Sequence, residues 1–241
     1  MSETATGKGV LYLIPVAVGG EDALSLLASS TLEIARKLDT FIVENARSAR
    51  SFLKAIGHPL PLQEIRLHVL DEHTARREVE SILAPLLAGQ DRGLMSEAGC
   101  PAVADPGAML VRRAHESGVR VVPLVGPSAI LLALMASGMD GQNFVFHGYL
   151  PVDKAQRMRR LRELDGWSTG ETQIFIETPY RSAAMLNSLL ESCRGDTLLC
   201  ISADLTLPDE FVATRSIGEW KKKPPVLDRR LVVFLLFRER G

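Results

Sequence analysis

The chain has 241 residues, a formal net charge of −1, 46% hydrophobic residues and 24% charged residues. This composition is that of an ordinary globular protein, and the length suits one large domain or two smaller ones with well-buried cores. The near-zero net charge excludes both the global positive field of a general nucleic-acid binder and the acidic excess of a disordered chain. Any partner must therefore be recognised through local patches.

The cysteines and the apolar runs indicate a soluble cytoplasmic protein. Cys100, Cys193 and Cys200 leave one cysteine unpaired in any disulfide scheme, and no two have the spacing of a metal or redox motif. The polar first nine residues contain no signal-peptide core. The longest apolar runs fall short of the roughly 20 residues that a membrane span needs. We therefore expect reduced cysteines, no metal and no membrane partner.

The first half of the chain alternates apolar runs of strand length with amphipathic stretches of helical length. Strands are expected at residues 10–14, 40–43, 64–70, 92–96 and 120–124. Helices are expected at residues 23–38, 46–56, 74–87 and 107–117. This β-α-β rhythm predicts a parallel sheet covered by helices on both faces.

The pattern changes after Gly126. Helices are expected at residues 128–137, 154–164 and 182–192, and strands at 144–146, 173–176, 197–202, 211–216 and 231–237. The second half therefore predicts a mixed sheet. The fold class is α/β, with an N-terminal domain at residues 1–122 and a C-terminal domain at residues 123–241.

Four turn-rich segments follow directly on predicted strands, at residues 15–20, 96–107, 125–129 and 177–181. Ligands of open α/β sheets bind beyond the carboxyl ends of strands, so these segments are the candidate site. The first lacks both G-x-G-x-x-G and a P-loop lysine, and a tight turn explains its glycines.

Individual polar residues in these segments have two interpretations each. Glu97 could bind a ribose hydroxyl or an ammonium group, or Glu97 and Asp105 could cap the loop and the following helix. Ser128 could cap the apolar helix, whose first N–H groups could also hold a ligand oxygen. His147 is the one histidine at a strand end; the others show no ligand spacing.

A basic helix is predicted next to His147. Its charged residues form either a solvated face or a patch for RNA phosphates. They are Lys154, Arg157, Arg159, Arg160 and Arg162.

The ordered segments resemble the tetrapyrrole (corrin/porphyrin) methylase superfamily, and within it the branch that 2′-O-methylates a cytidine ribose of small-subunit ribosomal RNA. That branch has S-D-A-G-T-P-G-I-S-D-P-G at residues 96–107 and P-G-P-S-A at 125–129. It has F-x-G-F-L-P at 146–151 and Y-E-S-P-H-R at 176–181. The resemblance covers residues 10–237. It departs at residues 15–20 (T-P-I-G-N in the branch), 44–47 (E-D-T-R), Glu97 (Asp) and 202–207 (A-R-E-L-T-K).

The resemblance implies an S-adenosyl-L-methionine-dependent methyltransferase that holds the cofactor in the cleft between its two domains and acts as a homodimer. RNA or the ribosomal subunit is the implied partner. A small-molecule, tetrapyrrole-like acceptor and a non-catalytic cofactor-binding module remain alternatives. A ribose acceptor would need a base, for which the candidates are Glu44, His147 and Glu177. The residues implied to touch the cofactor are Val18, Glu97, Val103, Ser128, Ala129, Thr178 and Ala203.

Overall fold

The computed structural model describes residues 7–17, 21–71, 74 and 76–240. Contacts divide the chain into two compact units, Met1–Ser128 and Ala129–Gly241. The domain boundary expected from the sequence, between residues 122 and 123, stays a prediction.

The first unit contains a parallel sheet of five strands in the order β3-β2-β4-β1-β5. The strands are β1 (Val10–Leu13), β2 (Thr40–Val43), β3 (Arg66–Val69), β4 (Arg92–Met95) and β5 (Arg120–Pro123). Every residue of β2 and β4 is buried, as expected for strands covered on both faces. The predicted parallel sheet is confirmed.

Helices cover both faces of this sheet. They are α1 (Ser29–Lys37), α2 (Ala46–Ala55), α3 (Arg76–Leu87) and α4 (Gly107–Glu116). One face packs Phe41 and Val43 against α1 and α2, and the other packs Leu11 and Ile42 against α3 and α4. The prediction of one continuous helix at residues 23–38 is wrong. A 3₁₀ helix (Glu21–Leu26) comes first, and α1 starts after Ala28, where two serines favour a helix start.

The second unit contains a mixed sheet in the order β6-β7-β10-β8-β9. Its strands are β6 (Phe144–Tyr149), β7 (Thr172–Glu177), β8 (Leu198–Ala203), β9 (Phe211–Ser216) and β10 (Val232–Phe237). β6 and β7 are parallel, and the other pairs are antiparallel. The sheet has α5 (Ala129–Ser137) on one face, and α6 (Lys154–Trp167), α7 (Ser182–Ser192) and α8 (Ile217–Lys222) on the other. The predicted mixed sheet is confirmed.

The sequence analysis missed α8. Ser216 and Glu219 form a capping box at its start, and the S-x-x-E spacing could have revealed it. Trp220 anchors the helix, since its buried indole donates to the carbonyl of Leu199 at 2.9 Å. Lys221 and Lys222 therefore belong to a last helical turn rather than to a loop.

Candidate active site

The carboxyl edge of the parallel sheet joins loops that are far apart in sequence. Val16 and Gly99 exchange backbone hydrogen bonds of 2.9 and 2.7 Å, which ties the loop after β1 to the loop after β4. The amide of Glu97 donates to a carboxylate oxygen of Glu44, after β2, at 3.2 Å. A Cβ on Gly126 would lie 2.3 Å from the Cβ of Pro15, so the loop after β5 packs directly on the first loop. Val18 lies outside the described residues.

Asp105 organises the long loop after β4. Its carboxylate accepts from the amides of Ala102 at 2.8 Å and Gly107 at 2.7 Å, which confirms that this residue caps the loop and the start of α4. Burial raises the pKa of the Asp105 carboxyl, and the two hydrogen bonds oppose that rise. Glu97, by contrast, is exposed at the strand end, where its carboxylate can reach a ligand.

Two alanines of this loop have left-handed backbone conformations. Ala102 has φ of 66° and Ala104 has φ of 61°. The branch that the chain resembles has glycine at the first of these positions. A left-handed residue with a Cβ is strained by about 1–2 kcal/mol. Between them Val103 is 47% exposed, so the loop holds an apolar side chain outward on a strained backbone. Such strain is typical of ligand-binding loops.

The segment before α5 is held from within the first unit. The Thr31 hydroxyl donates to the carbonyl of Val125 at 2.8 Å, and the Cys100 thiol lies 3.5 Å from the carbonyl of Pro127. Ser128 is partly buried just before α5. Ala129, the first residue of α5, packs against the second unit's apolar cluster around α5, so a bulky residue there would disturb the core.

The carboxyl end of β7 carries a buried ion pair. The Glu177 side chain is 1% exposed and pairs with Arg181 at 2.7 Å. One oxygen of Glu177 also accepts from the Thr178 amide at 2.7 Å, while its other oxygen is buried without a hydrogen-bond partner. Sequence reasoning named Glu177 as a candidate base but did not predict this pair.

Thr178 and Ala203 lie at one edge of the mixed sheet. Glu177, just before Thr178, is level with Val232 of β10, and Val232 is level with Ala203 at the end of β8. Thr178 is partly buried, whereas Ala203 is fully buried in the core. Ala203 therefore has no exposed surface of its own.

His147 is committed to a hydrogen-bond network. Its Nε2 lies 2.7 Å from the Oε1 of Gln173, and its Nδ1 lies 3.3 Å from a guanidinium nitrogen of Arg160. The amide nitrogen of Gln173 donates to Glu171, so its oxygen accepts and Nε2 of His147 carries the proton. Burial lowers the pKa of His147, its hydrogen bond to Gln173 opposes the shift, and the charge of Arg160 adds to it. The ring is therefore neutral, and both nitrogens are occupied.

Ion pairs offset part of the charge of the basic helix. Arg157 is buried and binds the carbonyl of Val152 at 2.7 Å and the hydroxyl of Ser188 at 3.0 Å. Arg159 and Arg160 both pair with Glu163, and Lys154 pairs with Glu191. Arg162 is exposed. The interpretation of all five side chains as one solvated or RNA-binding face is therefore wrong for Arg157.

Asn45 replaces the aspartate of the related E-D-T-R segment and caps α2. Its side-chain oxygen accepts from the amides of Arg47 at 2.8 Å and Ser48 at 3.4 Å. An aspartate would make the same bonds, so this departure preserves the local structure.

The described part of the chain contains neither a metal-site cluster nor a helix that could span a membrane. Within residues 7–17, 21–71, 74 and 76–240, no three His, Cys, Asp or Glu side chains are grouped as a metal site would require. In the same residues, no helix has the length and apolar character needed to cross a membrane.

An α/β fold whose strand-end loops are tied together at one sheet edge is the architecture of an enzyme that binds a small organic ligand there. The family model described as tetrapyrrole (corrin/porphyrin) methylases matches residues 10–221. The chain belongs to this family and is an S-adenosylmethionine-dependent methyltransferase.

Curated relatives match most of the chain. Ribosomal RNA small subunit methyltransferase I of Mesorhizobium japonicum is 37% identical over 86% of this chain and 67% of that protein. The protein of the same name from Escherichia coli O157:H7 is 31% identical over 90% of this chain and 73% of that protein. A uroporphyrin-III-C-methyltransferase structure from Thermus thermophilus aligns with a TM-score of 0.56 at 15% identity, covering 95% of this chain and 92% of that one. The last similarity supports the fold.

Proposed function

We propose that this enzyme methylates a ribose 2′-hydroxyl of small-subunit ribosomal RNA. The observation that carries the proposal is the similarity over most of the chain to proteins named ribosomal RNA small subunit methyltransferase I. The ordered motifs at 96–107, 125–129, 146–151 and 176–181 support the same branch.

The residues of the first unit fit S-adenosylmethionine. Glu97 offers an exposed carboxylate for ribose hydroxyls, and Val103 offers apolar surface. We place Val18, Ser128, Ala129, Thr178 and Ala203 in the same binding role. When bound, the cofactor supplies a methyl group on a cationic sulfur.

The chain's contribution to catalysis is alignment and removal of one proton. The 2′-oxygen forms a bond to the methyl carbon as the sulfur–carbon bond breaks, and the hydroxyl proton passes to a base. His147 is poorly suited, since both its nitrogens are occupied, and the free oxygen of Glu177 is buried. Glu44 is partly exposed at the carboxyl edge beside Glu97, so we favour it as the base.

The assembly and location follow the same resemblance. We propose a cytoplasmic homodimer that requires no metal and binds RNA or the small ribosomal subunit. Sedimentation at micromolar concentration should give twice the 26.3 kDa chain mass; a single-chain mass would contradict the dimer.

The decisive experiment uses methyl-labelled S-adenosylmethionine and small subunits assembled from unmodified, transcribed RNA. Methylation of a 2′-oxygen blocks alkaline cleavage of the next phosphodiester, so the label should appear in an alkali-resistant dinucleotide. Label in mononucleotides would indicate base methylation, and absence of label in RNA would contradict the proposal.

The partial pairing of the basic helix favours a second candidate, a small tetrapyrrole-like acceptor, because such a molecule needs no phosphate-binding patch. The same labelled cofactor, incubated with a small-molecule extract, would then label a chromophoric organic fraction while the RNA stays unlabelled. That pattern would replace the RNA proposal.

A further inference from the structure

Tyr180 is a large side chain held out at the carboxyl edge of the mixed sheet. It is 88% exposed and follows β7 by three residues. Single exposed aromatics are common on protein surfaces, so exposure alone indicates nothing. The structure beneath this tyrosine distinguishes it.

A tight turn presents the ring. The amide of Arg181 donates to the carbonyl of Thr178 at 3.0 Å, which places Pro179 and Tyr180 at the two central positions. Proline at the first central position already has the backbone angle that the turn needs. The Ser182 hydroxyl adds a second bond to the Thr178 carbonyl at 2.9 Å.

The buried ion pair locks this turn from below. Glu177 bonds the Thr178 amide and the Nε of Arg181, at 2.7 and 2.8 Å, so it bridges the two ends of the turn. The carboxylate is enclosed, since the Glu177 side chain is 1% exposed, whereas the Arg181 side chain is 23% exposed. The turn is therefore rigid, and a ligand that meets Tyr180 need not order it.

A second exposed tyrosine lies at the end of the neighbouring strand. Tyr149 is 54% exposed and is level with Ile176 of β7. Both tyrosines therefore lie at the carboxyl edge of the β6–β7 pair. Each exposed ring offers a flat apolar face to a ligand.

We propose that Tyr180 stacks on an unpaired base of the RNA acceptor. Proteins that recognise single-stranded RNA stack its bases on aromatic side chains, and a ring on a rigid turn binds with little loss of entropy. The inference rests on the proposed RNA function and adds a specificity-determining residue to it. Glu177 and Arg181 are positioning residues for this ring.

The test compares Tyr180→Ala with Tyr180→Phe, using assembled small subunits as substrate and calorimetry for S-adenosylmethionine. Loss of one stacked base should raise the KM for RNA roughly five- to hundredfold in Tyr180→Ala. Tyr180→Phe keeps the ring and should stay within about twofold of the parent. The cofactor affinity and the melting temperature should not change in either variant.

Trp167→Ala is the matched control. Trp167 is 51% exposed but ends α6 beside Arg238, which follows β10 at the opposite edge of the sheet. Its KM for RNA should equal that of the parent.

Four outcomes would overturn the inference. The first two are an unchanged KM for RNA in Tyr180→Ala and a rise of that KM in Tyr180→Phe as large as in Tyr180→Ala. The third is a loss of cofactor affinity as large as the rise in KM. The fourth is a change in sedimentation showing that Tyr180 lies in a contact between subunits. If the parent enzyme methylates no RNA, the proposed function fails as well. That failure is seen before any variant is compared.

Discussion

Ala102 shows how a single residue can store strain in the loop after β4. Its left-handed φ of 66° is one that glycine adopts freely, and the related branch has glycine there. We expect Ala102→Gly to raise the free energy of unfolding by roughly 1 kcal/mol, because relief of strain exceeds the added chain entropy. Urea denaturation measures the change. Ala184→Gly, at an exposed position of α7, is the control. It should lower the free energy of unfolding by about 1 kcal/mol.

His147 gives the protein a defined response to acid. Burial lowers its pKa below the ordinary 6.5, so the unfolded chain binds the proton more tightly. Its contribution to stability is therefore complete above about pH 6.5 and is lost as the pH falls below that value. His68, whose pKa is lowered by burial and by the charges of Arg92 and Arg66, acts in the same direction.

The urea concentration at the unfolding midpoint should decrease as the pH is lowered from about 7.5 to about 5.5. In His147→Gln this decrease should be smaller. The glutamine removes the titrating group but can still bond Gln173. An identical pH dependence in parent and variant would show that His147 does not contribute.

At the scale of one element, α6 combines an internal anchor with surface charge. Arg157→Ala removes the guanidinium that donates to the carbonyl of Val152 and the hydroxyl of Ser188. The free energy of unfolding should therefore fall by about 2–3 kcal/mol. Arg162 is exposed, and Arg162→Ala should change stability by less than about 0.5 kcal/mol. If Arg162 contacts an RNA phosphate, Arg162→Ala should reduce by about one the slope of the logarithm of the RNA-binding constant against the logarithm of the salt concentration. Equal effects of both variants on stability would contradict this division.

For the whole molecule, cofactor binding should stabilise the fold without metal. S-adenosylhomocysteine at about a hundredfold excess over its Kd should add about 2.7 kcal/mol to the free energy of unfolding. Differential scanning fluorimetry with and without a chelator measures the shift. Equal shifts are expected, and a shift abolished by the chelator would reveal a metal requirement.

Local pattern was enough to predict most elements of both sheets. The apolar run at 40–43 and the helical spacing at 46–56 correspond to β2 and α2, because burial on one or both faces leaves a periodic trace in neighbouring residues. The break before α1 escaped the pattern, since leucines on both sides of Ala28 continue the helical spacing. Turn-rich segments after strands also located Glu97 and Val103 in a loop at the sheet edge.

By itself, the sequence determined the order of the strands and of most helices, the parallel and mixed sheets, and, through its motifs, the family. Only the tertiary structure decided which polar side chains are available for chemistry. Arg157 and Ser188 are 31 positions apart, and His147 and Gln173 are 26 apart, yet each pair is hydrogen bonded. Periodicity records whether a position is buried, but a charged or polar side chain is satisfied by partners that only the folded chain brings within about 3 Å.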